Sequence, residues 1–403
     1  MTDRINQNDT EPTCSGKGNC GRCQHKSCMT AWTSTAEFEI RKQQTFQKEA
    51  TYGIALDIGT TTLAMRLVGL ESGKELATIT AFNSQRAFGA DVLSRIQAAN
   101  EGKLAELQAC IRHDIEKLLK QLIVEMNIEK KEIQKMVIAG NTTMCHLLLG
   151  YSCEGLGKAP FAPVSLAMQK AIHDEMEVII LPGISAFVGA DIVAGMYDCD
   201  MDLKENPHML LDVGTNGEMV IGDKNGFLAT ATAAGPVFEG GKIRYGSELI
   251  AMAARLLEKQ IIDENGTFCD EYFESGYPVK PAGQEEVRLT QSDIRELQMG
   301  KAAIRAGMDI LLQKVKAKKI YLAGGMGNAI DPKAAVSIGL FSEDCVNLIE
   351  PVGNAALEGA HKLLLDENGE ERVQKIVENA REMNLANERD FEEKYIHFMQ
   401  FLV

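Results

Sequence analysis

The sequence predicts a two-domain α/β protein with a short cysteine-rich arm in front and a helical tail behind. Alternating strand-like and helix-like segments begin at Tyr52, stop at the polar stretch Asp198 to Pro207, and then start again. An Asp-x-Gly-Thr turn follows the first strand of each half, at Asp57 and at Asp212. Four cysteines, Cys14, Cys20, Cys23 and Cys28, precede the first strand. A chain of 403 residues also exceeds the size at which one core keeps growing. The divisions expected are an arm over 1–50, domains over 51–200 and 201–350, and a connecting helix with its tail over 351–403.

The arm is rich in Thr, Gln, Lys, Gly and Asn and lacks apolar periodicity, so it has no core of its own and a bound metal would be its source of order. In the first domain, residues 53–56 and 62–69 read as strands, 87–99 and 105–126 as helices, 135–139 and 178–181 as strands, and 186–197 as a helix. The second half restarts with a strand over 208–211. Helices over 247–260 and 290–316 follow, then a strand over 319–323 that runs into Gly324-Gly325-Met326-Gly327, then a helix over 354–365. In the tail, Val373, Ile376, Val377 and Ala380, and later Phe391, Tyr395, Phe398 and Leu402, recur at helical spacing, which predicts helices packed on the body.

Composition narrows the class. Hydrophobic residues at 45% and charged residues at 25% are globular values. A net charge of -15 argues against binding nucleic acid or an anionic membrane, both of which need clustered Lys and Arg. The polar first 50 residues hold no secretory leader. The longest apolar run, Val178 to Met196, is broken by Pro182, Gly183 and Asp191, so no membrane span is expected. A cytoplasmic protein with reduced or metal-bound thiols is the consequence for its ten cysteines.

The two aspartate turns carry the candidate chemistry. Gly59 and Gly214 lack a Cβ, so the backbone can approach a ligand and aim N–H groups at it. Hydroxyls of Thr60, Thr61, Thr62 and Thr215, with Asn216 and the backbone of Gly217, add neutral donors for phosphate oxygens. Asp57 and Asp212 would repel phosphate directly and would act through Mg²⁺ or its waters. Gly324, Gly325 and Gly327 form a turn on which a nucleoside can lie. Further candidates for organising metal or water are Asp191 and Gln85, with Asp91 and Glu218 behind them. Asp191 could equally bond a neighbouring loop, and Asn141-Thr142-Thr143 reads as a helix N-cap before it reads as a ligand.

Paired Asp-x-Gly-Thr turns, a glycine-rich turn after a late strand, and two small-residue helices resemble the actin-like ATPase superfamily of acetate and sugar kinases, heat-shock chaperones and actin. The helices are Ala186 to Tyr197, with Gly189, Ala190 and Gly195, and Asn354 to Leu365, with Ala355, Ala356, Gly359 and Ala360. The resemblance covers about Tyr52 to Leu365 and implies a two-domain actin-like ATPase fold that clamps ATP and Mg²⁺ between its halves.

Longer strings resemble one branch, the ATP-dependent reductive activators of corrinoid proteins. They are Asp57 to Thr62, Asn83-Ser84-Gln85 with Gly89-Ala90-Asp91, Gly140 to Met144, Phe187 to Asp191, Asp212 to Glu218, and Ala234-Gly235-Pro236 with Phe238-Glu239-Gly240. This resemblance implies an ATPase that drives an electron from an iron–sulfur cluster to the cobalt of a corrinoid protein in a methyltransferase system, restoring Co(I) from Co(II). The implied partners are that corrinoid protein and an electron donor; a homodimer is compatible with the sequence.

Cys14-x5-Cys20-x2-Cys23 has the spacing of a ferredoxin-type cluster loop. The arm departs from the family's ferredoxin-like N-terminus, because Cys28 follows closely and the next domain begins at Tyr52. An iron–sulfur cluster or a zinc ion would both suit four thiolates. Two other functions fit the same fold: a small-molecule kinase with a structural arm, and a non-catalytic regulator gated by nucleotide.

Overall fold

The computed structural model describes residues 38–43, 48–238, 246–280, 285–324 and 330–401. Cys14, Cys20, Cys23 and Cys28, and also Gly325 and Gly327, lie outside them. The first sheet is built from β1 (Glu39–Lys42), β2 (Tyr52–Ile58), β3 (Thr62–Gly69), β4 (Glu75–Phe82), β5 (Ile133–Gly140), β6 (Gln169–His173) and β7 (Met176–Ile180). The second holds β8 (His208–Val213), β9 (Gly217–Asp223) and β10 (Gly226–Thr232); a separate pair, β11 (Tyr277–Val279) and β12 (Val287–Leu289), precedes its later strands β13 (Ile320–Ala323), β14 (Ile349–Gly353) and β15 (Ala380–Glu382).

The two sheets share one plan. In the order β1-β4-β3-β2-β5-β7-β6, the strands β4, β3 and β2 are antiparallel and β5 and β7 add in parallel. In the order β14-β13-β8-β9-β10-β15, the strands β10, β9 and β8 are antiparallel and β13 and β14 add in parallel. Superposing the plans matches β2 with β8. Each is central and buried, which is why both read as apolar runs without alternation.

Helices α1 (Val92–Ala98), α2 (Leu104–Met126), α3 (Thr142–Leu149) and α4 (Ala190–Asp198) belong to the first half. The second half carries α5 (Gly246–Glu258), α6 (Asp270–Phe273), α7 (Gln291–Lys314), α8 (Pro332–Ser337) and α9 (Glu343–Val346), and α10 (Ala355–Leu365), α11 (Gly369–Glu378) and α12 (Phe391–Phe398) close the chain. Helix α2 buries Leu107, Ile111, Leu118, Leu122 and Met126 along one stripe, and it ends where Asn127 turns left-handed at φ 50. One core gathers β2, β3, β5, α2, α4 and α10, and another gathers β8, β9, β13, α5 and α7. Each fully buried side chain such as Leu56 or Leu211 contributes roughly 1.5–3 kcal/mol.

Helices α4 and α10 cross closely because their contact residues are small. A Cβ on Gly359 would lie 2.0 Å from the Ala194 carbonyl oxygen, and one on Gly195 would lie 3.3 Å from the Ala355 Cβ. Two expected helix starts shift. Asp91 caps α1, its Oδ1 accepting from Ser94 N at 2.8 Å, so that helix begins at Val92 and not at Ala87. Ser185 Oγ accepts from Phe187 N and Val188 N, which holds that stretch as a turn and delays α4 to Ala190. The tail helices pack on the body, with Val373 and Ile376 in the first core and Phe398 against Ala302 and Ala306 of α7. Among the described residues no helix is long and apolar enough to cross a membrane.

Candidate nucleotide site

Asp57 and Asp212 occupy equivalent places at the ends of β2 and β8. Asp57 pairs with Ala64 on β3 and Ala139 on β5; Asp212 pairs with Glu218 on β9 and Ala323 on β13. The turn after each is closed by its glycine: Gly59 N donates to Thr62 O at 3.0 Å, and Gly214 N donates to Asn216 O at 2.9 Å. The second turn is thus one residue shorter than the first.

The first turn is held from behind by residues that the sequence reading left without a role. Asn83, fully buried, donates from Nδ2 to Gly59 O at 2.9 Å and from its backbone N to Thr61 O at 2.8 Å. Arg95, also fully buried, donates from Nη2 to Thr60 O at 2.6 Å. A trans peptide sets each N–H opposite its C=O. With the carbonyls of Gly59, Thr60 and Thr61 turned into this scaffold, the N–H groups of Thr60, Thr61 and Thr62 face the other way, as an anion cradle requires. Asn141 caps α3 by accepting from Met144 N at 2.9 Å, as read from the sequence, and it also donates to Thr60 Oγ1 at 3.0 Å.

Four carboxyls share one electrostatic field. Burial pushes Asp57 up to about 6, opposed by the hydrogen bond that Asn354 donates. Burial, then the charges of Asp212 and Asp57, push Asp191 up to about 7. Glu218 is raised by burial and by Asp191 and Asp212, and Asn216 bonds its side chain. The buried Cys145 thiol, raised by burial and by Asp191 and Asp57, lies in the same field. Asp191, in the first turn of α4, therefore faces the cleft, although its Oδ1 also accepts from Ile192 N at 2.9 Å.

Gly324 closes the constellation on the second half. It has φ +90, and a Cβ there would lie 2.7 Å from Val213 O and 2.8 Å from Asp212 Oδ1, so only glycine lets these strands' ends lie together. Asn354, the N-cap of α10, donates from Nδ2 to Asp57 Oδ2 at 2.8 Å and was not singled out from the sequence.

Three candidates stand apart from the cleft. Gln85 is fully buried, donates from Nε2 to Leu107 O at 2.9 Å, and accepts from Arg95, so it braces the scaffold. Gly217 begins β9, where a Cβ would meet Thr232 Oγ1 at 2.9 Å and the Ile304 side chain of α7 at 3.0 Å, so its lack of a side chain serves packing. Asp91 is spent on capping α1.

This set suits a magnesium nucleotide. Backbone N–H groups and threonine hydroxyls fit phosphate oxygens, and mutually repelling carboxyls favour a cation among them. Among the described residues no three His, Cys, Asp or Glu form a ready metal cage. Mg²⁺ usually keeps several waters and takes one or two carboxylates plus phosphate oxygens.

Comparison with known proteins matches these halves. The family model described as the RACo middle region matches residues 52–204, and that described as the C-terminal domain of RACo, the ASKHA domain, matches 206–248 and 245–402. A corrinoid activation enzyme, RamQ, of Eubacterium limosum is 30% identical over 86% of this chain and 69% of its own length. A reductase of the Co(II) methylated amine-specific corrinoid protein, from Methanosarcina barkeri, is 23% identical over 82% of this chain and 73% of its own. A solved reductive activator for a corrinoid, iron–sulfur protein superposes with a TM-score of 0.81 at 30% identity, covering 89% of this chain and 67% of that one. With its duplicated sheets and paired aspartate turns, the chain belongs to the RACo family of reductive activators of corrinoid proteins, on the actin-like ATPase fold.

Proposed function

We propose that this protein uses ATP binding and hydrolysis to return the cobalt of a corrinoid protein in a methyltransferase system from Co(II) to Co(I). The observation that carries the reading is the equivalent placement of Asp57 and Asp212 on two sheets of one plan, with Asp191 and Glu218 in the same field. The named activities of the relatives supply the acceptor: one activates a corrinoid protein, and another reduces a Co(II) corrinoid protein.

Mg²⁺·ATP, when bound, supplies the phosphoanhydride whose hydrolysis drives the cycle. The N–H edge and hydroxyls of Thr60, Thr61 and Thr62, with Thr215 and Asn216, receive phosphate oxygens, and Gly214, whose own N–H closes the turn, lets the backbone come close to them. Asp57 and Asp212 would hold the waters of the metal, and Asp191 is the candidate to take a proton from the attacking water. Gly324, with Gly325 and Gly327, takes the nucleoside. Cys14, Cys20, Cys23 and Cys28 are the residues that would hold an iron–sulfur cluster, and such a cluster would supply one-electron transfer between a separate cytoplasmic donor and cobalt. A zinc ion in its place could not carry that electron.

The test is anaerobic purification followed by iron, acid-labile sulfide and zinc analysis, then incubation with reductant, a Co(II) corrinoid protein and ATP. Expected are a coloured protein, ATP hydrolysis that rises with the corrinoid partner, and an absorption change from Co(II) to Co(I) that needs ATP. An iron-free preparation with full ATP-dependent cobalt reduction would overturn the cluster. ATP turnover indifferent to every corrinoid partner would overturn the function.

A further inference from the structure

Residues 353 and 354, at the junction of β14 and α10, reach both aspartate turns, the first directly and the second through Gly324. Gly353, at φ +68, accepts from Gly324 N at 3.0 Å, and Gly324 lies against Asp212 Oδ1 with no room for a Cβ. The next residue, Asn354, donates from Nδ2 to Asp57 Oδ2 at 2.8 Å. Its Oδ1 accepts from Leu357 N at 2.9 Å, and that cap fixes which way the amide faces: the oxygen is committed to the helix, so the nitrogen meets the carboxylate. Helix α10 then runs against α4, whose first turn carries Asp191. One dipeptide thus sets the second half's aspartate through Gly324 and the first half's aspartate directly. Asn354 itself is exposed and fills no core, so its side chain serves the cleft and the cap.

We propose that Asn354 is the positioning residue that registers the two aspartate turns against each other, holding Asp57 where it organises the metal nucleotide and linking that site to α10. The inference rests on the reading of the cleft as a site of ATP hydrolysis. An N-cap alone would tolerate Asp or Ser, which cap as well as or nearly as well as Asn. Positioning would not: Asp replaces the donor with a charge that repels Asp57, and Ser is too short to make both bonds.

The experiment compares N354D, N354S and N354A with the wild-type full chain, measuring kcat for ATP hydrolysis, Kd for ATP by calorimetry, and Tm. Expected are near wild-type Tm for N354D and N354S with kcat lowered about tenfold in N354D and less in N354S, since small displacements of catalytic groups are costly, while Kd moves less than about threefold. N354A loses both kcat and Tm. N354D and N354S with unchanged kcat would overturn the inference and leave Asn354 a cap. A wild-type protein that neither binds nor hydrolyses ATP would overturn the underlying reading instead.

Discussion

Asp191 holds its proton well into the neutral range because it is buried beside Asp212 and Asp57. Its folded pKa of about 7 lies above its ordinary value of 3.8, so the folded state binds more protons than the unfolded one between those limits. Stability therefore falls as pH rises through that window, and above pH 7 the full cost of the charge is present. Asp191→Asn removes this cost. We expect the ligand-free variant to gain on the order of 2 kcal/mol at pH 8 and almost nothing near pH 4, while ATP turnover falls on the order of a hundredfold. Urea unfolding at the two pH values, beside an ATPase assay, checks both; equal stability at pH 8 would place Asp191 outside the shared field. At this scale, Asp57 and Asp212 were legible from the sequence because acidic side chains stand out beside glycine and threonine, and Asp191 because it interrupts an apolar run. Asn83, Arg95 and Asn354 were not, because their work is to bond backbone or carboxylate groups distant along the chain: Asn354 meets Asp57 across 297 positions.

Helix α7 shows the same limit at the scale of elements. Its apolar spacing was readable, and its range nearly so, but not what its two faces meet. One face backs the second turn: Ile304 lies over Gly217, and a Cβ on Gly300 would lie 2.5 Å from Ala234 O. The other face holds the tail through Lys301, which is fully buried and donates to Phe398 O and Gln400 O at 2.5 and 2.6 Å. Gln298 adds a bond to Met399 O at 2.7 Å, and Arg305 lies over the Phe398 ring. Strands β4, β10 and β15 also escaped the sequence reading, since such segments gain meaning only from the neighbours they pair with. Burial, then the charge of Arg305, push Lys301 down to about 7 from 10.5. The unfolded state then binds more protons between these limits, so stability rises with pH from 7 toward 10, by at most about 1.4 kcal/mol per unit. Lys301→Met should lose that rise, so its deficit against wild type grows by roughly 1–2 kcal/mol between pH 7 and 9. Chemical denaturation across that range reads the effect, and parallel pH profiles for the two proteins would refute it.

At the scale of the whole molecule, the repeated Asp-x-Gly-Thr strings made the duplicated plan legible, because a similar turn after an apolar strand demands a similar strand environment twice. The order of strands was not written in either string, since it depends on long-range pairing. The crossing of α4 and α10 lies in the first core, and the small residues there were visible in the sequence without their distances. The two glycines of that crossing differ in what surrounds them, which makes the crossing testable. A Cβ on Gly195 would meet the Leu210 side chain at 3.0 Å and the Ala355 Cβ at 3.3 Å, neighbours that can yield by small shifts. A Cβ on Gly359 would meet the Ala194 carbonyl oxygen at 2.0 Å and its carbonyl carbon at 2.5 Å, both backbone atoms of the facing helix. Relief at Gly359 therefore requires the helices to separate, which loosens packing along their shared length. Helix propensity alone favours Ala over Gly by about 1 kcal/mol at either place. Gly195→Ala should accordingly change stability by less than about 1 kcal/mol, whereas Gly359→Ala should lose roughly 2–3 kcal/mol despite its better propensity. Because α10 opens on Asn354, a separation at Gly359 also draws that amide from Asp57, so Gly359→Ala should lower ATP turnover even at temperatures where it stays folded. Equal stabilities for the two variants would mean that the crossing is not tight at Gly359. A destabilised Gly359→Ala with undiminished turnover would mean that α10 does not carry the position of its first residue into the cleft.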